Sequence, residues 1–484
     1  MKLSSLFEYS KPKYFNGDYN IEVTDIFTSS KKVEKGSLFF AFQGSKTHGN
    51  KYIGEAARRG AVAVVSETNP GSSPLPVIVV DDARQVLSKW SAAVNGFPAR
   101  KLSFTGVTGT NGKTTVTNLI YRILKKEKNS ALIGTSGYFY NNTNGKFSMT
   151  TPLPNELHKL FKKMLESGIE NVVMEVSSHA LALKRVEDIK FKTAVFTNLT
   201  RDHLDFHGNF EEYFKRKKHL FDLLKSSGVA VVNKDNKYGH RLVNELSGIK
   251  QKLKTYGLTT ESDYRGEIKK LNMNRSQFIL KTGNFTEKID TNLIGEFNIY
   301  NCLAAVAAGI EGVNNMQQVC KVISEVSPVK GRLEIVKSEG KDNKTVVIDY
   351  AHTPDALDNV LRTLKNLTAG RLICLFGCGG DRDREKRPLM GQIAGSYSDI
   401  VYVTSDNPRT ENPVDILLDI ELGLRKTSAS YYVIKDREKA IKEAVTRAGK
   451  NDCILIAGKG DEEYQIFKNN KVPFSDRKMA RKYL

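Results

Sequence analysis

From Lys101 onward the chain alternates short apolar runs with longer segments of helical spacing. The runs "KLSFTGVTG", "NVVMEVSS", "TAVFTNL" and "GVAVVNKDN" are apolar and β-rich, and helical stretches separate them, the first starting at Thr114. This pattern predicts a parallel sheet with helices on its faces. A second series, "TVVIDYA", "RLICLFGCGG", "DIVYVTSDNP" and "DCILIAGKG", follows "SPVKGRLEIV" and predicts a separate α/β unit. Before the first series a helical pattern stops at Asn-Gly-Phe-Pro in "WSAAVNGFPARK", a breaker cluster suited to a domain junction. The expected fold is α/β in three domains, residues 1–98, 99–330 and 331–484, the second with a mostly parallel sheet.

Composition narrows the class. With 484 residues and 40% apolar content the chain can build several packed cores, which excludes a small single module and general disorder. No apolar run approaches the roughly 18 residues of a membrane helix, and "MKLSSLFEYSKPKY" lacks a signal-peptide core, so a cytoplasmic protein with no membrane partner is expected. The cysteines, at 302, 320, 374, 378 and 453, form no CxxC pair, which argues against a disulfide framework or a zinc site. An excess of 74 Lys and Arg over 54 Asp and Glu, net charge +20, favours polyanionic partners. Nucleic acid, a nucleotide, or a phosphorylated and carboxylated substrate would all satisfy it.

The polar motifs sit at the C-terminal ends of the predicted strands, where open α/β sheets bind ligands. "FTGVTGTNGKTTV", residues 104–116, runs from a strand through a Gly-rich turn into a helix. Gly109, Thr110, Asn111 and Gly112 would surround a phosphate with backbone N–H groups and a positive helix N-terminus. Lys113 would reach the outer phosphates, and Thr114 or Thr115 would meet Mg²⁺. The strict GxxxxGK(S/T) spacing is not kept, because Val107 stands where the first glycine would, with Gly106 and Gly109 beside it. ATP is the expected nucleotide.

At "GVTGTNGKTT" the sequence resembles the signature of the Mur ligase superfamily, ATP-dependent enzymes that join a carboxylate to an amine. The resemblance continues in family order through "TTPLPNEL", "MEVSSHALALKRV", "NLTRDHLDFHG", "LIGEFNIYN", "DYAHTPDAL", "GCGGDRDREKRPLM", "SDNPR" and "GKGDEEYQ". It is similar above all to the branch that adds the third residue of the peptidoglycan stem peptide to UDP-N-acetylmuramoyl-L-alanyl-D-glutamate (UDP-MurNAc-L-Ala-D-Glu). The resemblance implies a uridine-nucleotide domain over 1–98, a central P-loop-type ATPase over 99–330 and a Rossmann-like amino-acid domain over 331–484. A monomer is expected.

Chemistry of this kind brings an anionic carboxylate onto an anionic γ-phosphate to make an acyl phosphate, which the amine then attacks, so cations must hold the first two together. Taken alone, Glu175 and His203 are only polar residues near strand ends; the resemblance makes both metal ligands, with Thr114 or Thr115 completing the shell of Mg²⁺. It also makes Lys113, Glu175, His203 and Lys217 the catalytic set.

Lys217 lies in the basic tract "EEYFKRKKHLFDLL", residues 211–224. On a helix advancing about 100° per residue, with Tyr213 at zero, Phe214, Leu220, Phe221 and Leu224 fall at about 100°, 340°, 80° and 20°. Lys217, at about 40°, lies inside that apolar stripe, whereas Lys215 is opposite and Arg216 and Lys218 flank it. A lysine there snorkels, pairs with an acid, or is deprotonated and modified. Related ligases carbamylate a lysine in this Tyr-xxx-Lys-xx-Leu-Phe context, which implies N6-carboxylysine at Lys217, an anionic metal ligand.

The remaining assignments also follow from the resemblance. Thr150, Thr151, Ser177 and Arg185 match positions that hold the muramoyl peptide and its phosphates; Ser30 is the candidate uracil contact, although Ser29, Lys31 and Lys35 replace the family's Asp, Arg and Pro. Asn298, Asn301, Arg332, Asp349 and His352 match nucleotide-side positions. Asp406, Asn407, Pro408 and Arg409 form the tetrapeptide that accompanies meso-diaminopimelate, whose far carboxylate an arginine can grip and which lysine lacks. Arg382, Gly458 and Glu462 match further amino-acid contacts. Asp461 stands where the family usually has His, which leaves L-lysine, L-ornithine and lanthionine as alternative amines. Two other readings are weaker. A sister ligase adding D-alanyl-D-alanine, or a folylpolyglutamate synthetase, lacks the tetrapeptide, and a nucleic-acid-binding P-loop ATPase would need an aromatic-basic motif where the cations here are dispersed. No nucleic-acid partner is expected.

Overall fold

The structure, a computed structural model, describes all residues except 45–46, 249, 338–343 and 469. Its strands form three main sheets. In the first, Tyr14–Phe15, Val77–Val79, Ala61–Ser66, Ser37–Phe40 and Asp25–Phe27 lie in that order, all parallel except the antiparallel first pair. Helix Ala83–Val94 buries Trp90 and Leu87 against this sheet, and Asp82 starts it by accepting the Gln85 N–H.

The second sheet has eleven strands. Its parallel centre runs Ser130–Gly134, β2 (Asn171–Glu175), β1 (Ser103–Thr108), β3 (Phe191–Phe196), Leu224–Asn233 and Lys252–Gly257. All five residues of β2 are buried, as expected where helices cover both faces. Antiparallel hairpins extend both edges, over 137–145 and 264–291. Of their strands, Ser276–Thr282 and Phe285–Thr291 alternate more buried with more exposed positions, unlike the continuously buried strands of the centre.

The tract around Lys217 forms helix α2 (Phe210–Asp222), downstream of α1 (Lys113–Leu124). Asn209 caps α2 by accepting the Glu212 N–H, and Glu211 and Glu212 favour its positive end. Tyr213, Phe214, Lys217, Leu220 and Phe221 are its buried face, and Lys215 and Arg216 are exposed. One assignment is corrected: α2 ends at Asp222, and Leu224 is buried as the first residue of the next strand, paired with Phe191, not as part of the helix stripe.

The third sheet runs Glu334–Lys337, β4 (Thr345–Asp349), β7 (Cys453–Ala457), β5 (Leu372–Phe376), β6 (Ile400–Val403) and Ser430–Val433, parallel except for the first pair. Behind it lies a fully buried ion pair, Arg437 Nε to Asp476 Oδ1 at 2.7 Å, with neither side chain exposed. Arg437 also donates to the carbonyls of Ser405 and Ala457, tying the loops after β6 and β7 together. Asp476→Ala would leave this guanidinium uncompensated and should cost about 3–5 kcal/mol, read as a lower denaturation midpoint. An unchanged midpoint would show that the pair carries no stability.

Polar contacts join the three units. Lys184 pairs with Asp82 at 2.6 Å, and Asn155 donates to the Ile26 carbonyl at 3.1 Å. The third unit meets the second through Asn111 to Asp355 at 2.7 Å and Arg201 to Glu385 at 2.5 Å. All five cysteines are buried free thiols. Among the described residues no helix is long and apolar enough to cross a membrane.

Candidate active site

A cleft of about 910 Å³ opens between the second and third units, at the C-terminal ends of β1, β2, β4, β5, β6 and β7. Its floor is the turn between β1 and α1. Thr197 closes that turn by donating to the Asn111 carbonyl at 2.6 Å, and a Cβ at Gly109 (φ 153°) would lie 1.8 Å from its Oγ1, so only glycine fits. Lys113 Nζ folds back to the carbonyls of Gly109 and Thr110, at 2.9 and 2.8 Å. Burial pushes its pKa down, against the carboxylates of Glu175 and Asp202, which hold it up.

Glu175 ends β2 with 1% exposure, and Thr135 fixes both carboxylate oxygens, its N–H at 2.8 Å from Oε1 and its hydroxyl at 3.1 Å from Oε2. His203, at φ 53°, turns its ring onto Asp202, Nε2 to Oδ2 at 3.1 Å, and meets His179 edge-on at 4.7 Å. Burial lowers the His203 pKa to about 3, although Asp202 opposes it, so the ring is neutral at pH 7 with a lone pair to offer. Asp202 would be raised by its own burial, but the His203 ring facing it and the charges of Lys386 and Lys113 hold it at about 2.

Lys217 is 1% exposed. Its amine lies 4.5 Å from the Tyr213 ring centroid and has no carboxylate or hydrogen-bond partner among the described residues. Burial pushes its pKa well below the ordinary lysine value, the charge of Lys113 pushes the same way, and Asp202 opposes. The neutral amine is thereby favoured.

Beside the turn between β1 and α1, Arg332 donates to Thr114 Oγ1 at 3.1 Å and lies over the Tyr350 ring at 4.2 Å, so it reaches across from the third unit to the floor of the cleft. Asp349 accepts the N–H groups of Leu333 and Ala351 at 2.7 and 2.8 Å, and burial raises its pKa against Arg332. His352 lies 2.7 Å from the Tyr350 carbonyl, and burial lowers it to about 4. Asn301 donates to Asn298, and Asn298 to the Ile294 carbonyl, each at 2.9 Å.

In the third unit Arg409, at φ 52°, donates through Nη1 to the Gly380 carbonyl at 2.7 Å, leaving Nε and Nη2 without a partner among the described residues. A Cβ at Gly379 would lie 2.7 Å from that Nη1, so glycine makes room for the guanidinium. Burial lowers its pKa and Arg382 adds to this, against Asp406 and Glu462.

Most residues expected at the site line this one cleft. Thr110 to Thr115, Glu175, His203, Asn298, Asn301, Arg332, Asp349 and His352 surround the phosphate loop. Thr150, Ser177 and Arg185 lie on one flank, and Arg382, Asp406, Asn407, Arg409, Gly458 and Glu462 on another. Five residues are not on its wall. Gly109 and Pro408 shape their turns, and Lys217 sits behind the wall. Thr151 is buried, its hydroxyl donating to the Glu175 carbonyl at 2.9 Å, and Ser30 lies in the first unit, donating to Glu55 at 2.6 Å. Ser177 lines the cleft but also caps helix Ser178–Ala182, accepting the Ala180 N–H at 3.1 Å. Sequence reasoning missed Thr135, Asp202, Lys386 and Asp355. Asp202 stands beside His203 inside a quoted motif, but its link to Lys386, 3.9 Å away, joins distant segments.

The donor chemistry suits a hard cation. Glu175 and the hydroxyls of Thr114 and Thr115 offer oxygen, which Mg²⁺ prefers, and His203 a neutral nitrogen. A bare lysine amine does not suit it, whereas a carbamate does. Among the described residues no three His, Cys, Asp or Glu side chains cluster as a metal cage. A cation here would therefore need ligands beyond Glu175 and His203.

Three family models match the chain: "Mur ligase family, catalytic domain" over 22–94, "Mur ligase middle domain" over 107–309 and "Mur ligase, glutamate ligase domain" over 331–460. The UDP-N-acetylmuramoyl-L-alanyl-D-glutamate–2,6-diaminopimelate ligase of Clostridium tetani is 40% identical over 489 residues, covering 100% of this chain and 99% of its own. The enzyme of the same name from Caldanaerobacter subterraneus is 41% identical, covering 97% and 96%. A solved structure of a ligase of that name superposes with a TM-score of 0.68 at 32% identity, covering 100% and 99% of the two chains.

Proposed function

The chain belongs to the Mur ligase family, and from that premise we propose that it is an ATP-dependent ligase that adds meso-diaminopimelate to the D-glutamate of UDP-MurNAc-L-Ala-D-Glu. The observation that carries the reading is that one cleft holds both the phosphate loop with Lys113 and the Arg409 fork with Glu462. A nucleotide and an amino acid bound at those two ends would flank the muramoyl-peptide side at Thr150, Ser177 and Arg185.

In this reading the glutamate carboxylate attacks the γ-phosphorus of ATP, ADP leaves, and the amine of diaminopimelate displaces phosphate from the acyl phosphate. Lys113 swings from its loop carbonyls to the outer phosphates, and Arg332 adds a second positive charge from the third unit. Asn298, Asn301, Asp349 and His352 bound the nucleotide, and Ser30 keeps its assignment to uracil in the first unit. Thr114, Thr115, Glu175, His203 and a carbamylated Lys217 would hold magnesium, which supplies charge neutralisation between carboxylate and phosphate. At the other end Arg409 takes the far carboxylate of the diamino acid through Nε and Nη2, with Arg382 beside it, while Glu462 takes an ammonium.

Two experiments test this. Oxygen-18 placed in the glutamate carboxylate should appear in the released phosphate, and its complete retention in the peptide product would exclude the acyl phosphate. Arg332→Ala should lower turnover by about 10-fold to 100-fold, the range for loss of a hydrogen bond made by a charged group. Normal ATP turnover in that variant would remove Arg332 from the nucleotide site.

A further inference from the structure

Lys459, in the loop after β7, has no exposed surface and so cannot touch a ligand in the cleft. Its Nζ donates to Glu462 Oε2 at 2.9 Å and to Asn407 Oδ1 at 3.3 Å. Asn407 Nδ2 donates to the same Oε2 at 2.9 Å, and the Ile466 N–H donates to Asn407 Oδ1 at 3.0 Å. The three side chains close a triangle that joins the loop after β6 to the loop after β7. Oε1 of Glu462 is left with no partner among the described residues, on a side chain that lines the cleft.

The roots of these loops do not depend on that triangle. Arg437 already ties the Ser405 and Ala457 carbonyls together, and Gln465 donates to the carbonyls of Ser405 and Asp406 at 3.3 and 2.9 Å. What Lys459 alone adds is the orientation of one carboxylate and one amide. Burying a lysine is costly unless it is paired and hydrogen-bonded, and here both partners are side chains at the cleft wall.

We propose that Lys459 is a positioning residue for the amino-acid substrate: it fixes Glu462 so that Oε1 faces the cleft as the acceptor for a substrate ammonium, and fixes Asn407 beside it. The inference rests on the reading of Asn407 and Glu462 as substrate contacts. Glu462, not Lys459, then touches the amine, and the selectivity of this end of the cleft for an ammonium over a neutral group depends on a buried residue.

The test compares steady-state constants of Lys459→Met, Glu462→Gln and the double variant. Lys459→Met should raise KM for diaminopimelate by about 10-fold to 100-fold, the range for loss of a hydrogen-bonded charged contact, with KM for ATP unchanged and kcat within about threefold. The double variant should be no worse than Glu462→Gln alone, because both changes remove the same oriented carboxylate. Additive losses, or a drop in thermal stability with KM for the amine unmoved, would overturn the proposal. If Glu462→Gln itself leaves that KM unchanged, the assignment of the amine site fails instead. Should Lys459→Met not fold, Lys459→Gln, which keeps a donor of shorter reach, gives the same readout.

Discussion

Lys217→Ala is expected to lower kcat by roughly 100-fold to 1000-fold, the range seen when one preorganised charge-stabilising group is removed, while the protein stays folded. The expectation follows from where the helix puts the side chain. Lys217 is on the buried face of α2 among Tyr213, Phe214, Leu220 and Phe221, yet among the described residues it has no acid to pair with. Burial and Lys113 both disfavour its charged form. A neutral amine can add CO₂ to give a carbamate and a proton, and in the proposed reading this would place an anion within the field of Lys113. Methyl in place of that side chain removes the anion and leaves space, so a short-chain carboxylate or excess bicarbonate should restore part of the activity. Full activity in Lys217→Ala would refute the assignment, and loss without rescue together with unfolding would point to packing alone.

The second large effect concerns substrate choice. Arg409→Ala should lower kcat/KM for meso-diaminopimelate by roughly 100-fold to 1000-fold, the cost of truncating one partner of a buried charge pair, and should bring L-lysine close to parity. Arg409 keeps one nitrogen on the Gly380 carbonyl, which orients the guanidinium and leaves Nε and Nη2 as a side-on fork for a carboxylate. Lysine presents an ammonium to that fork and leaves an unpaired cation against another, a repulsive contact that rejects it. Competition assays with the two amines measure the ratio directly. A wild-type preference for lysine would sink this argument and leave the ligase reading intact.

Local features of the site were legible in the sequence because they depend on neighbours along the chain. The turn from β1 into α1 is written in consecutive residues, and the burial of Lys217 follows from the phase of one helix. The parallel centre of the second sheet was legible as well, since strands covered on both faces must be continuously apolar. Other features depend on residues that only folding brings together. Lys386 meets Asp202, Asp355 meets Asn111, and Lys459 meets Asn407, each pair separated by at least 52 positions. Nothing in the spacing of either segment announces its partner. The edge strands Ser276–Thr282 and Phe285–Thr291 are harder to read for a different reason: one face is more exposed, so buried positions alternate and the apolar signal is weak. Ser30 stands in the first unit, outside the cleft between the other two, where its hydroxyl donates to Glu55.

The most direct measurement is ADP release by the purified protein with UDP-MurNAc-L-Ala-D-Glu and, in separate reactions, meso-diaminopimelate, L-lysine, L-ornithine and lanthionine. Turnover that requires both the dipeptide nucleotide and an amine, greatest with meso-diaminopimelate, is the predicted result. Absence of amine-dependent turnover with all four would contradict the central claim.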